Sequence, residues 1–211
     1  MIEEWDWDSV TPTGRAVLRD EAHRKGIPHE GVHLWILCTI ESIPHILLQR
    51  RAPHKEFYPG YLDITVGGHV VFDQKEDKLG KESFEELGII PPKDKLIDLG
   101  YFKYEESIPE FSLVHREIQH VWILFDDKPL DEYTFNDGEV DALAAVVLEE
   151  FRETLSDGKP SGGYLYDGRT ITKTVFTPEM FHPLFFKGPM VEYMAKLFGE
   201  IDAVIRRDAL R

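Results

Sequence analysis

The stretch that most constrains this chain is "VGGHVVFDQKEDKLGKESFEELGII", residues 66–90. A strand-forming run ends in paired glycines and a histidine, and a segment of helix formers follows. Gln, Lys, Glu and Leu dominate from Gln74 to Leu87, and Gly88 supplies a left-handed stop, so a helix is predicted there. At about 100° per residue, Glu82, Glu85 and Glu86 share one arc of that helix. Carboxylates at such spacings repel one another unless something positive sits among them. Composition alone favours a solvated acidic face. The sharper reading is a site for a hard divalent cation such as Mg2+, which takes oxygen ligands and leaves room for phosphates. Lys81 stands one turn before Glu85 and can pair with it, and Gly67 and Gly68 let backbone approach a ligand closely.

The rest of the chain reads mainly as strands. "VHLWILCTI" (32–40) and "HILLQR" (45–50) are predicted to form a hairpin, and "GYLDITVGG" (60–68) is a further strand running into glycines. Two more strands lie in "KLIDLGYFKYEE" and "SLVHREIQHVWILF", and "VDALAAVVLEEFRETL" passes from strand to short helix. The class expected is α+β. From about Ser156 the chain turns to the turn-rich "SDGKPSGGYLYDGR". In the last segment Val191, Met194, Leu197, Phe198, Ile201, Val204 and Ile205 recur at helical spacing. A domain over 1–155 is therefore expected, with a C-terminal extension over 156–211. Its amphipathic helix would pack on the body or against a second copy of the chain, as a homodimer contact.

The formal net charge is −15, from 39 acidic and 24 basic residues. That excludes a nucleic-acid surface, which needs clustered Lys and Arg. An anionic substrate is repelled unless cations or a local basic patch intervene. Cys38 is the only cysteine and lies in an apolar run, so it is expected as a buried strand residue in a protein of a reducing compartment. The acidic start "MIEEWDWDSV" carries no apolar signal segment, and no run approaches about 18 apolar residues. A cytoplasmic protein without membrane contact is the expectation.

Residues 67–89 resemble the Nudix box, G-x5-E-x7-R-E-U-x-E-E-x-G-U with U a bulky apolar residue. Gly67, Glu82, Glu85, Glu86, Gly88 and Ile89 match, while Asp73, Lys81 and Ser83 replace Glu, Arg and an apolar residue. "EAHRKGIPHEGVHLWIL", "LLQRRAPHKEFYPGYLDITVGGHV" and "REIQHVWILF" resemble the isopentenyl-diphosphate-isomerase-like branch of that superfamily. The resemblance implies a Nudix fold, with a mixed β-sheet sandwiched between α-helices and an added C-terminal helical segment. It further implies a Mg2+-dependent (or Mn2+-dependent) hydrolase cleaving a pyrophosphate bond in a nucleoside diphosphate linked to a second moiety, or in a related diphosphate.

On the same resemblance Glu82, Glu85 and Glu86 hold the metal, and Glu82 or Glu86 serves as ligand or base, with Glu139 the alternative base. Arg51 and Lys55 match positions that contact the diphosphate. His23, His29, His69 and Glu117 match a second metal site, which imidazole and carboxylate ligands suit for Zn2+ or Mn2+. His115 stands beside it, where the isomerases have a glutamate. The alternative for these histidines is a hydrogen-bonded structural cluster. The isomerases keep a cysteine where this chain has Gly67, so carbon-protonation chemistry lacks its side chain here. A diphosphate-binding module without turnover is the other functional class, because Lys81 cannot make the bidentate contacts of an arginine. Tyr101, Tyr104 and Phe111 are candidates to stack on a base, or simply packing residues.

Overall fold

Alternation along the central strands decides which face each side chain serves. Val32, Leu34, Ile36 and Cys38 enter one apolar cluster, while Trp35 and Leu37 enter another. Strands apolar on both faces need a layer on each side. The computed structural model describes residues 1–73 and 77–208 and has that arrangement. In chain order the elements are β1 (Ile2–Asp6), β2 (Thr11–Val17), α1 (Arg19–Lys25), β3 (His29–Ile40), β4 (Ile43–Arg51), β5 (Leu62–Asp63) and β6 (Val66–His69). There follow α2 (Lys78–Leu87), β7 (Ile97–Ile108), β8 (Leu113–Phe125), β9 (Val140–Val147), α3 (Leu148–Asp157), β10 (Ser161–Tyr166), β11 (Ile171–Phe176) and α4 (Pro189–Asp208).

The main path of the sheet runs β11-β10-β9-β4-β3-β1-β2, with β8 lying parallel to β3 and β7 antiparallel to β8. The sheet is thus mixed and the class is α+β, as expected. Leu79 and Leu87 of α2 pack on one face with Leu34, Ile36 and Leu47. Phe151 of α3 and Tyr193, Met194, Leu197 and Ile201 of α4 cover the other with Trp35 and Ile46.

The stretch expected as one strand over 60–68 is broken into β5 and β6, inserted where β3 and β4 part. Gln49 and Arg50 of β4 pair with β5, and Gly31 to Leu34 of β3 pair with β6. Thr65 bridges the opening, its hydroxyl donating to the Leu47 carbonyl while accepting from the Ile36 N–H at 3.1 Å. α2 begins at Lys78, where the Asp77 side chain caps it by accepting from the Gly80 N–H at 3.0 Å. Residues 74–76, expected in that helix, lie outside the described residues, as do 209–211.

The segment after Ser156 differs most from the sequence expectation. The turn-rich "SGGYLY" is strand β10, which continues the sheet beside β9, and β11 follows. α4 buries Tyr193, Met194, Leu197, Ile201 and Val204 within the chain, which leaves the homodimer alternative unsupported. Val191 falls outside that stripe and is exposed, while Phe198 and Ile205 are partly buried. Among the described residues no helix is long and apolar enough to cross a membrane.

Candidate functional site

Strand register assembles the first half of the site. The parallel β3–β8 pair sets His29 opposite Glu117 and Gly31 opposite Gln119. On the other edge of β3, Gly31 faces His69. Partners in register and residues two apart share a face, so His29, His69, His115, Glu117 and Gln119 all project to the same side. Helix α1 brings His23 onto the group. One ligand atom from each of His23, His29, His69 and Glu117 falls within a 4.8 Å span.

Hydrogen bonds around the group leave ring nitrogens free at its centre. His29 Nδ1 lies 2.8 Å from the Ile27 carbonyl, which fixes the proton there and turns the Nε2 lone pair inward. His29 Nε2 and His23 Nδ1 are buried and have no hydrogen-bond partner. His115 Nδ1 stands 2.9 Å and His69 Nε2 3.4 Å from Glu117 Oε1. Gln119 donates to Glu117 Oε2, and only a glycine at position 31 admits that amide, since a Cβ would lie 2.3 Å from Gln119 Oε1. Burial pushes His23 down to about 3 and lowers His29 as well. Burial also opposes charge on His115 and Glu117, but their mutual hydrogen bond prevails, raising the imidazole and holding the carboxyl well below the usual range. These are the ligands expected of the second metal site, gathered, with His23 Nε2 3.1 Å from His69 Nε2 and one nitrogen each of His23 and His29 unpartnered.

The acidic helix α2 builds the other half. Glu86 is buried, and its Oε2 accepts from the Gly67 N–H at 3.2 Å and the Gln49 amide at 3.1 Å. Burial pushes its carboxyl well above the normal value despite those bonds. Glu82 is raised too, chiefly by burial, with Lys81 opposing. A Cβ on Gly68 would stand 2.2 Å from Glu82 Oε2, so this carboxylate lies against bare backbone. Lys81 reaches Glu85 at 2.9 Å and Glu82 at 3.4 Å. Glu85 is held on that lysine and does not line the cavity described next, and the oxygens of Glu82, Glu85 and Glu86 are not gathered as the histidine group is.

Both halves open into one cavity of about 840 Å³, lined by Glu82, Glu86, His23, His69, His115 and Glu117. Arg51, Lys55 and Glu139 line it as well. Arg51 pairs with Asp63 at 3.1 Å and also donates to the Phe57 carbonyl, and Lys55 is paired with Glu139. Burial would raise the Glu139 carboxyl, yet the Lys55 contact outweighs it and lowers it. Tyr104 and Phe111 line the cavity, whereas Tyr101 packs on the Trp5 and His120 rings outside it. Asp73 sits on an exposed turn at φ 58°, away from the lining. Ser83 is fully buried in the place of the usual apolar residue, its hydroxyl unpartnered. Cys38 is buried on the opposite face, and burial pushes its thiol up to about 12.

Sequence reasoning missed Gln49, Asp63, His33 and His182, all of which line the cavity. The signal for two of them was a polar side chain inside an apolar strand run, Asp63 in "YLDIT" and His33 in "GVHLWIL". Nothing local marked His182.

No protein-family model matches the chain. It is 33% identical over 152 residues to Nudix hydrolase 3 of Arabidopsis thaliana, an alignment covering 71% of this chain and 19% of that protein. The chain therefore spans about a fifth of that relative's length. It is 28% identical over 150 residues to an uncharacterized Nudix hydrolase of Clostridium acetobutylicum, covering 70% of this chain and 72% of the other. Among solved structures, a Deinococcus radiodurans protein superposes with a TM-score of 0.54 at 20% identity, covering 75% and 90% of the two chains. The chain has the Nudix fold, and the names of its sequence relatives support the Nudix hydrolase family for it.

Proposed function

We propose that the chain is a Mg2+- or Mn2+-dependent pyrophosphohydrolase of the isopentenyl-diphosphate-isomerase-like branch, acting on a nucleoside-diphosphate-linked or related diphosphate. The observation that carries this is the buried Glu86 beside Glu82, in one cavity with Arg51 and Lys55. Burial raises both carboxylates, and only Lys81, which is shared with Glu85, offsets it at Glu82, so the donor set fits a hard divalent ion. Such an ion supplies neutralisation of phosphate oxygens and a lowered pKa for water. His23, His29, His69 and Glu117 fit a second, softer site for Zn2+ or Mn2+, with His23 Nδ1 and His29 Nε2 buried and free to ligate.

The chain's own residues supply the rest. Arg51 and Lys55 exchange their Asp63 and Glu139 partners for phosphate oxygens, giving the local positive charge that the net charge of −15 requires. Glu86 accepts a proton from water as the water oxygen bonds to phosphorus and the bridging P–O bond breaks, the bridging oxygen leaving with the second product. Its bonds to the Gly67 N–H and the Gln49 amide hold that carboxylate in place at the cavity wall. Glu139 is the weaker alternative, because Lys55 keeps its carboxyl acidic. Isomerisation is disfavoured by more than the missing cysteine. A Cβ at Gly67 would meet Ile64 Cδ1 at 2.5 Å, so a side chain there would require Ile64 to shift. The single buried Cys38 thiol suits a cytoplasmic protein.

A non-catalytic diphosphate-binding module is the second reading, favoured by Lys81 holding Glu85 away from the cavity. A panel of nucleotide sugars, dinucleotides and nucleoside phosphates with Mg2+ separates the two. Product release that Glu86→Gln abolishes supports hydrolysis, and tight binding without turnover at any metal concentration supports the module.

A further inference from the structure

The segment after the acidic helix and strands, where no motif was legible, sends one titratable side chain into the cavity. His182 lies in the turn between β11 and α4 and is buried, 7% exposed. Three contacts fix it. Its backbone N–H donates to the Leu62 carbonyl at 2.8 Å, tying the turn to β5. Its ring lies 4.2 Å, centre to centre, from the ring of Tyr58, a residue held at φ 51°. Its Nδ1 accepts from the Leu184 N–H at 3.2 Å, capping the short turn Pro183–Phe186.

That cap decides the tautomer. An accepting Nδ1 carries no proton, and burial lowers the imidazole's pKa, so the neutral ring keeps its hydrogen on Nε2. Among the described residues no group takes up Nε2, in a residue that lines the cavity. Asp63, which lines the same cavity, is paired with Arg51 at 3.1 Å. The imidazole therefore lines the same cavity as the guanidinium already assigned to phosphate, with one donor uncommitted.

We propose that His182 is a diphosphate-binding residue contributed by the C-terminal segment, its Nε2–H donating to a phosphate oxygen beside Arg51. This rests on the diphosphate reading above, but it makes the site incomplete without residues beyond 155.

The two amide substitutions separate binding from folding. In His182→Asn, Oδ1 takes the place of Nδ1, so the cap on Leu184 is kept and the Nε2 donor is lost. In His182→Gln, the side-chain amide takes the place of Nε2, so the donor is kept and the cap is lost. The probe is methylenediphosphonate with Mg2+, titrated calorimetrically so that turnover is not needed, with thermal unfolding measured alongside. Loss of one hydrogen bond to a charged oxygen predicts a Kd raised roughly tenfold or more in His182→Asn at an unchanged melting temperature. His182→Gln should bind nearly as wild type while melting lower. Equal affinity in His182→Asn and wild type overturns the assignment and leaves the diphosphate reading standing. Failure of the wild-type protein to bind methylenediphosphonate overturns both.

Discussion

The two halves of the cavity solve opposite problems with similar ligands. Around Glu117, four side chains from α1, β3, β6 and β8 are gathered within 4.8 Å, all buried except the half-buried His69, and His23 Nδ1 and His29 Nε2 are unpartnered. On α2, Glu82 and Glu86 are drawn apart by separate partners, Lys81 for one and Gly67 with Gln49 for the other. Strand register fixes the first group before any ligand arrives. The second is set by one helix and by where its side chains find partners. A preassembled group suits a resident ion, while the looser one suits an ion that arrives with phosphate.

The largest effect that tests this contrast falls on turnover. Glu86→Gln should lower kcat by about a thousandfold, the usual worth of a general base. In chelator-treated protein it should also raise stability at neutral pH. The sign follows from burial: the folded carboxyl has a raised pKa, so its contribution is fully favourable only below the unfolded value and is lost as pH rises through the folded one. Replacing it with a neutral amide removes that loss. A variant that keeps wild-type turnover breaks the assignment of Glu86, and one that unfolds breaks the contrast.

Next in size is metal retention. Wild-type protein dialysed against a weak chelator should keep close to one Zn2+ or Mn2+ per chain, and His69→Ala should weaken that affinity by roughly 100-fold. His69 is the most exposed of the three histidines in the cluster, so its loss should perturb packing least. No bound metal by elemental analysis, in either protein, would mean that the group is a hydrogen-bonded structural cluster. The acid response offers an independent check. His23 titrates at about 3 in the fold against an ordinary 6.5, so it adds stability above 6.5 that is lost as pH falls towards 3. Metal-free protein should thus be destabilised by acid through His23 and relieved by it through Glu86.

A smaller effect comes from the seam between the halves. Gly68→Ala places a Cβ where Glu82 Oε2 lies, 2.2 Å away, so the carboxylate must swing aside. Activity should fall roughly 10- to 100-fold, as displacement of a positioned group by about an ångström does, with little change in melting temperature. Full activity would show that Glu82 is not needed where it lies.

The acidic helix was legible because its information is local. Glu82, Glu85, Glu86 and Gly88 lie within one helix and its stop, and spacing alone put them on one arc. Which of them faces the cavity was not legible, because that depends on the bonds of Glu86 to Gly67 on β6 and Gln49 on β4, outside the helix. The histidine group was legible only through the family resemblance, since its members are joined by the β3–β8 and β3–β6 registers. β10 escaped the reading for a different reason: "SGGYLY" has the glycines of a turn, and its strand state comes from pairing with β9. α4 was found from its periodicity, whereas its partner face, including Trp35 bonded to the Tyr193 hydroxyl at 2.7 Å, was set by tertiary packing.

The smallest effect bears on how the α2 carboxylates are held. Lys81 replaces the usual arginine of the box and divides its ammonium between Glu85 at 2.9 Å and Glu82 at 3.4 Å. The Lys81 and Glu85 side chains are partly exposed, and an ion pair there contributes about 0.5 kcal/mol and is weakened by salt. Lys81→Ala should therefore change kcat by only about twofold, since 0.5 kcal/mol corresponds to roughly that factor. The change should shrink further in high salt. Two effects oppose each other in this variant: Glu85 is freed to turn towards the cavity, and Glu82 loses the cation that offsets its burial. If the first dominates, Mg2+ should bind slightly tighter and KM should fall, so a kcat and KM measurement at two salt concentrations resolves them. A loss of a hundredfold would instead mean that Lys81 fixes both carboxylates rigidly, and the α2 half of the cavity would then be as preassembled as the histidine half.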